Sequence, residues 1–254
     1  MIPKVIHYCW FGNGEKSESV LKCIESWRKF CPDYEIKEWN ETNYDVTKNK
    51  YMREAYEEKR WGFVPDYARI DIVYQNGGIY LDTDVELIKS FDSMLDNKSF
   101  FGFERAGEGY KINLGSGFGS ERGNAFLKEI RDYYDNLSFR NTDGTLNLTP
   151  SPNINSQVFI RNGFKLDNTY QTIAGNTVYP YDYFAPLDWK NLKGKPTNNT
   201  ISIHHYSTSW LSDEEKKKRR KATIKHNIVH LPNSVMKTLL GKKRYEELKL
   251  KLKR

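Results

Sequence analysis

Residues 77–84 constrain the fold of this chain more than any other segment, because they place two acids directly behind a short apolar run. The glycines at 77 and 78 are expected to end a preceding helix, and the apolar residues 79–81 predict a buried strand. Open α/β sheets bind their ligands beyond the carboxyl ends of the strands. The segment therefore predicts a strand that ends at a ligand site.

Asp82 and Asp84 are candidate metal ligands. Residues two apart in an extended segment point to the same side, so both carboxylates can converge on one point. Two such anions repel each other, and a divalent cation relieves that repulsion. Hard oxygen ligands prefer Mg²⁺ or Mn²⁺, which also bind phosphate. The alternative is a solvated acidic turn, and the apolar strand in front of the acids favours the metal site.

Strand and helix patterns alternate through the first 140 residues, which favours an α/β sheet. Strands are expected at residues 5–11, 34–39, 79–81, 100–103, 114–118 and 201–203. Helices are expected at residues 20–27, in the polar stretch before residue 60, and at residues 65–76 and 124–137. The third of these helices is expected to bury a single face, formed by Tyr67, Ile70, Val73 and Tyr74.

Asp66 and Arg69 lie three apart on the helix that opens at Pro65, so they share a face of it. One interpretation is a surface ion pair that contributes little to stability. The other is a binding pair, in which the guanidinium fork of Arg69 donates to phosphate or sugar oxygens and Asp66 accepts from sugar hydroxyls.

Trp10 and the pair His204-His205 are further candidates. Trp10 follows an apolar strand and precedes a glycine turn, where it can pack in the core or stack on a nucleotide base. Adjacent histidines on a strand point to opposite faces, so at most one of the pair faces a site. The alternative for both is a structural role in the strand.

The charge of the chain is unevenly distributed. Residues 213–254 contain 15 Lys or Arg and five Asp or Glu, a net charge of +10. The whole chain contains 40 Lys or Arg and 33 Asp or Glu. Residues 1–212 therefore contain 25 basic and 28 acidic residues, a net charge of −3. A body of this charge shows no sign of a nucleic-acid groove. We therefore expect one domain over residues 1–212 and a separate basic segment over residues 213–254.

The basic segment also carries apolar residues at roughly helical spacing. They are Val235, Met236, Leu239, Leu240, Tyr245, Leu248 and Leu252. Basic amphipathic helices of this kind lie on anionic membrane surfaces. The alternative is a terminal helix packed on the body.

The cysteines favour a reducing compartment, because there are only three, at positions 9, 23 and 31, with no Cys-x-x-Cys pair. The N-terminus enters a strand pattern at once, and no run of about 18 apolar residues occurs, so we expect neither a signal peptide nor a transmembrane helix. These features predict a cytoplasmic protein, which the basic segment could hold at the inner face of the membrane.

Three motifs resemble one family. Residues 2–12 are similar to the opening of the DXD-containing glycosyltransferases (glycosyltransferase family 32). That family includes yeast outer-chain mannosyltransferases, bacterial capsular polysaccharide transferases and, more distantly, the glucosylating domains of clostridial toxins. Residues 65–69 followed by 77–84 resemble its most specific signature, and residues 204–210 resemble its C-terminal motif. The resemblance covers about residues 2–105 and returns near 204–210.

The resemblance implies a GT-A fold, a Rossmann-like sheet that binds a nucleotide sugar together with Mn²⁺ or Mg²⁺. It also implies a retaining hexosyltransferase that uses a UDP-hexose or, less favoured, GDP-mannose, with a polysaccharide or lipid-linked glycan as acceptor. The resemblance implies that Trp10 stacks on the base, that Asp66, Arg69 and Asn113 contact the donor sugar, and that Tyr80 and Ser209 make further contacts with the donor. It implies that Asp82 contacts the ribose and a metal-bound water, and that Asp84 and His205 ligate the metal. It also implies that Thr208 and Trp210 contact the phosphates and the leaving oxygen.

Two alternatives remain open from the sequence. The same chemistry could modify a protein, as in the toxins, although no segment resembles a delivery or autoprocessing domain. A different class of function is a non-catalytic protein that binds polyanions or membranes through its basic segment.

Overall fold

The computed structural model describes residues 1–189 and 192–207. Its helices are α1 (Glu18–Phe30), α2 (Lys50–Glu57), α3 (Pro65–Asn76), α4 (Ala125–Tyr133) and α5 (Ser151–Arg161). Its strands are β1 (Val5–Cys9), β2 (Glu35–Trp39), β3 (Gly78–Tyr80), β4 (Val85–Leu87), β5 (Ser99–Ala106), β6 (Gly109–Ile112), β7 (Phe118–Ser120), β8 (Gln171–Ile173), β9 (Asn176–Tyr179) and β10 (Ser202–His204). Short 3₁₀ turns follow Phe91, Tyr133 and Pro180.

A mixed sheet forms the centre of the molecule, with the strand order β2-β1-β3-β7-β5-β9-β8 and with β6 paired to β5. Strands β1, β2, β3, β5 and β9 run in one direction, whereas β6, β7 and β8 run in the opposite direction. The carboxyl ends of β1, β3 and β5 therefore share one edge of the sheet, where α/β proteins bind ligands. The α/β class expected from the sequence is confirmed.

Alternation along the strands supplies apolar side chains to both faces of the sheet. On β5, Phe101 and Phe103 pack into the cluster formed with α2, α3, α4 and α5. Phe100, between them in sequence, packs into the second cluster, which contains Trp27 of α1. A central sheet covered by helices on both faces follows from this pattern.

Helix α3 is the most deeply placed helix. Pro65 occupies its first turn, where the missing amide costs nothing, and every residue from 66 to 73 is buried. The expectation of a single apolar face is therefore wrong, because α2, α4 and the sheet surround α3. Gly77 ends the helix at φ 69°, and Gly78 continues at φ 102°, with the carbonyl oxygen of Val5 only 2.8 Å from where a Cβ would lie.

A small second sheet forms next to the edge of the large one. Strand β10 pairs antiparallel with β4, so that His204 lies opposite Val85. This pairing returns the chain from residue 204 to the segment that follows Asp84.

The expected strand at 114–118 is also wrong, since only Phe118 enters β7. Residues 114–117 form a turn instead, in which the amide of Gly115 bonds to the side chain of Asn113. Within the described residues, the helices are too short and too polar to span a bilayer. The basic segment 213–254 lies outside the described residues.

Candidate active site

A cavity of about 620 Å³ lies at the carboxyl ends of β1, β3 and β5. Its walls come from distant parts of the chain, including the segments after β1 and β3, the first turns of α3 and α5, the β5–β6 hairpin and the end of β10. Seven of the predicted site residues line it: Trp10, Asp66, Arg69, Tyr80, Asp82, Asp84 and Asn113. His204, which was not predicted, lines it as well, whereas His205 does not.

Asp82 and Asp84 converge, but not as an extended strand. Strand β3 ends at Tyr80, and a turn follows in which the Val85 amide donates to the Asp82 carbonyl at 3.0 Å. Gly115 makes room for the first acid, because a Cβ at that position would lie 2.1 Å from the Asp82 Oδ2 atom. Each of the two acids and His204 offers a ligand atom within 4.8 Å of the others.

The prediction that His205 faces the acids is wrong, because the structure reverses the two histidines. His204 Nε2 lies 3.1 Å from Asp84 Oδ1, whereas His205 Nε2 lies 2.9 Å from Glu86 Oε2 on the outer side of the small sheet. The expected alternation holds, but its phase is set by the pairing of β10 with β4. That pairing is a long-range contact, which the local sequence does not encode.

The electrostatics of Asp84 and His204 are coupled. Burial alone would raise the pKa of Asp84, but His204 and the donating amide of Ser207, 2.7 Å from Oδ2, lower that pKa below its ordinary value. Burial alone would lower the pKa of His204, but the Asp84 carboxylate raises it above its ordinary value. A carboxylate–imidazole pair therefore forms one wall of the cavity.

Asp66 and Arg69 form a buried pair rather than a surface one. Arg69 Nη2 lies 3.2 Å from Asp66 Oδ1 and 3.3 Å from Asp82 Oδ1, and the Arg69 side chain is only 4% exposed. Burial raises the pKa of Asp66 to about 6, against the opposing effect of Arg69. The Arg69 Nε atom is enclosed and has no hydrogen-bond partner among the described residues, so those residues do not satisfy the whole guanidinium.

Sequence reasoning overlooked Glu104 and Tyr206, which contact the predicted site residues. The predicted residue Asn113 donates from Nδ2 to Glu104 Oε2 at 2.7 Å, and the Tyr206 hydroxyl donates to the same oxygen at 3.3 Å. Tyr206 stacks on the His204 ring, with the centroids 4.1 Å apart. An acid that follows the apolar run of β5 was the available signal for Glu104, because it repeats the pattern seen after β3.

Trp10 and Tyr80 are aromatic residues that line the cavity. The Trp10 Nε1 atom donates to the Gly14 carbonyl at 2.7 Å, and the Lys16 ammonium lies 5.5 Å from the centre of the indole ring. Tyr80 is buried, and the guanidinium of Arg69 lies over its ring at 5.3 Å. Tyr80 therefore supports Arg69 and gives the cavity a flat wall. Thr208, Ser209 and Trp210, the remaining predicted site residues, lie outside the described part of the chain.

Comparison with known proteins finds a family model that matches residues 17–101. This segment, which contains α3, Asp82 and Asp84, matches the family described as "Glycosyltransferase sugar-binding region containing DXD motif". The resemblance to the DXD-containing glycosyltransferases is confirmed. Inositol phosphoceramide mannosyltransferase 3 of Schizosaccharomyces pombe (strain 972 / ATCC 24843) is 33% identical over 102 residues, which are 37% of this chain and 27% of that protein. The match thus spans about a quarter of the curated relative's length.

Solved glycosyltransferases with some structural likeness have low sequence identity to this chain. PaToxG glycosyltransferase has a TM-score of 0.48 and 16% identity, over 63% of this chain and 69% of that one. A glycosyltransferase involved in the glycosylation of the major capsid of PBCV-1 has a TM-score of 0.48 and 14% identity, over 87% of this chain and 99% of that one. The galactosyltransferase LgtC has a TM-score of 0.39 and 13% identity, over 86% and 95%.

Proposed function

We propose that this chain is a GT-A-type glycosyltransferase that uses Mn²⁺ or Mg²⁺ to transfer a sugar from a nucleotide-sugar donor. The observation that carries the proposal is the convergence of Asp82, Asp84 and His204 in a cavity at the ligand-binding edge of the sheet. The family match supports it, because the matched segment includes both acids. The donor set fits such an ion, since carboxylates suit Mg²⁺ and Mn²⁺ and a neutral imidazole can join them.

The charges in the cavity suit the departure of a nucleoside diphosphate. A divalent cation held by Asp82, Asp84 and His204 would offset the negative charge that builds on the leaving phosphates. Arg69 lines the cavity, where its guanidinium can donate to a phosphate or sugar oxygen, and its contacts with both Asp66 and Asp82 fix the direction of its fork. Asp66 lies at the start of α3, where its carboxylate can accept from a sugar hydroxyl.

The finer proposal concerns the substrates. Retention of configuration and a UDP-hexose donor follow the family resemblance, with GDP-mannose as the second candidate. The curated relative is named for mannose transfer to inositol phosphoceramide, which supports a mannose donor and a lipid-linked glycan as acceptor. Such an acceptor would place the protein at a membrane surface, and the cytoplasmic face is the side that its cysteines favour.

The test is a screen of nucleotide sugars for thermal stabilisation and for hydrolysis, with Mn²⁺, with Mg²⁺ and with no metal. A ligand that binds only the folded state raises its unfolding temperature. We expect one donor to stabilise the protein in the presence of Mn²⁺ and to be hydrolysed slowly. Protein that binds none of the donors with either metal would contradict the proposal and favour a non-catalytic function.

Asp84→Ala separates the metal site from the fold. We expect its turnover to fall by about a hundredfold or more, because the variant removes a carboxylate that would hold the cation next to the leaving phosphates. The matched control is Asp96→Ala, which removes a carboxylate from an exposed turn. Normal metal-dependent turnover by Asp84→Ala would show that the metal assignment is wrong.

A further inference from the structure

Glu104 is a buried carboxylate that the proposed metal site does not use. It lies near the carboxyl end of β5, is 7% exposed and lines the cavity. The described residues place no cation within 4 Å of it, unlike Asp66, which pairs with Arg69. Two groups that can carry positive charge lie nearby and are engaged elsewhere: its cross-strand partner Lys111 bonds to Asn153, and His204 pairs with Asp84. A buried charge without an ion-pair partner requires hydrogen bonds to compensate for lost hydration.

The two oxygens of the Glu104 carboxylate differ in their hydrogen bonding. Both hydrogen bonds, from Asn113 Nδ2 at 2.7 Å and from Tyr206 Oη at 3.3 Å, go to Oε2. Among the described residues no donor reaches Oε1, and Oε1 is not one of the fully enclosed unpaired atoms. Since Glu104 lines the cavity, Oε1 is the oxygen that a bound molecule can contact.

The surroundings of Glu104 place it next to the candidate metal ligands. Through Asn113 it is linked to Gly115, whose carbonyl accepts from the Asp82 amide at 3.0 Å. Through Tyr206 it is linked to His204 and so to Asp84. A nucleotide sugar whose phosphates lie at Asp82 and Asp84 would therefore have its sugar within this part of the cavity.

We propose that Glu104 Oε1 accepts a hydrogen bond from a hydroxyl of the donor sugar, and so selects and orients that sugar. A carboxylate only accepts hydrogen bonds, so its partner must be a donor, which excludes the phosphates and favours hydroxyls. Oε2 is held by two fixed donors, so the direction of Oε1 is set before the ligand binds. This inference rests on the proposed function, because it requires a nucleotide sugar in the cavity.

The test compares Glu104→Gln with the wild type. Glutamine can turn its single oxygen toward Asn113 and Tyr206 and keep both bonds, which leaves an uncharged NH₂ group facing the cavity. The control is Glu25→Gln on the exposed face of α1. Each protein is titrated with Mn²⁺ plus the nucleotide sugar that stabilises the wild type, and separately with Mn²⁺ plus the corresponding nucleoside diphosphate.

We expect Glu104→Gln to bind the nucleotide sugar about tenfold more weakly, the loss expected for a charge-assisted hydrogen bond, and the nucleoside diphosphate within about twofold of wild type. Donor hydrolysis without any glycan acceptor should fall in parallel, since the lost contact is to the donor rather than to the acceptor. A merely structural Glu104 would weaken both ligands equally or neither, and either result overturns the inference. Wild-type protein that binds no nucleotide sugar would instead overturn the proposed function, and this inference with it.

Discussion

The guanidinium of Arg69 touches two acids that belong to different elements, Asp66 of α3 and Asp82 after β3. Both contacts come from one nitrogen, Nη2, and the rigid plane of the guanidinium then sets where Nη1 and Nε lie. A lysine keeps the charge but presents a single ammonium group. The pair therefore cannot be replaced by charge alone.

Arg69→Lys is accordingly expected to lower kcat/KM for donor hydrolysis by at least about tenfold, because the ammonium cannot serve both acids and the ligand at once. Steady-state kinetics on the purified variant measures this, with Arg53→Lys on the exposed surface of α2 as the control. Wild-type kinetics in Arg69→Lys would mean that Arg69 only stabilises the fold.

The two histidines give a paired test at the same scale. His204→Ala is expected to weaken Mn²⁺ binding by about tenfold or more, because it removes the imidazole next to Asp84 that we propose as a ligand. His205→Ala removes only an exposed contact with Glu86 and should bind Mn²⁺ as the wild type does. Calorimetric titration of each protein with Mn²⁺ distinguishes the two variants. Equal affinities in the wild type and both variants would show that neither histidine is a metal ligand.

At the scale of elements, His7 fastens β1 to its neighbours. The Trp39 indole nitrogen, which can only donate, lies 3.1 Å from His7 Nδ1, so Nδ1 accepts and carries no proton. The proton is therefore on Nε2, which donates to the Gly77 carbonyl at 2.9 Å. The imidazole thus connects β2 to the glycine turn that leads into β3 and the two acids.

Burial lowers the pKa of His7 from 6.5 to about 4. The unfolded chain then binds this proton more readily than the folded one, so the stability that neutral His7 provides is present above pH 6.5 and is lost as pH falls toward 4. We expect the wild type to lose about 2 kcal/mol more than His7→Gln between pH 7 and pH 5. Urea unfolding of both proteins at each pH measures the difference.

The comparison of two proteins removes the effect of other groups. Asp66, with its pKa raised to about 6, acts in the opposite direction, since its contribution falls as pH rises through that range. It is present in both proteins and cancels in the difference. Identical pH dependence in the two would show that His7 titrates normally.

The elements with strong local signals could be predicted from sequence, and those positioned by distant contacts could not. Pro65 and the two glycines delimit α3, so α3 and β3 lie close to where they were expected. Helix α5 begins between two prolines, at 150 and 152, and its first residues are polar, so the sequence pattern did not predict a helix there. Its first turn nevertheless lines the cavity. The contact of Glu104 with Tyr206 depends on β10 and could not be read locally.

The whole molecule has an acidic body and a basic C-terminal segment, and that contrast leads to the last prediction. Each basic residue close to an anionic membrane contributes about 1 kcal/mol of attraction, which salt screens. We expect the full chain to sediment with vesicles that contain anionic lipid at low salt, and a version that ends at Ser212 to remain in solution. Binding that ignores lipid charge, or that survives removal of residues 213–254, would contradict a membrane role for this segment.

The pairing of β10 with β4 has a consequence for the order in which the protein is made. A ribosome completes Asp82 and Asp84 while most of the chain is still untranslated, and it adds His204 only near the end of the described body. Until β10 emerges and joins β4, the nascent chain has two acids without their imidazole. The proposed metal site would therefore be completed late in biogenesis, and a chain whose translation stops before residue 204 is expected to lack it.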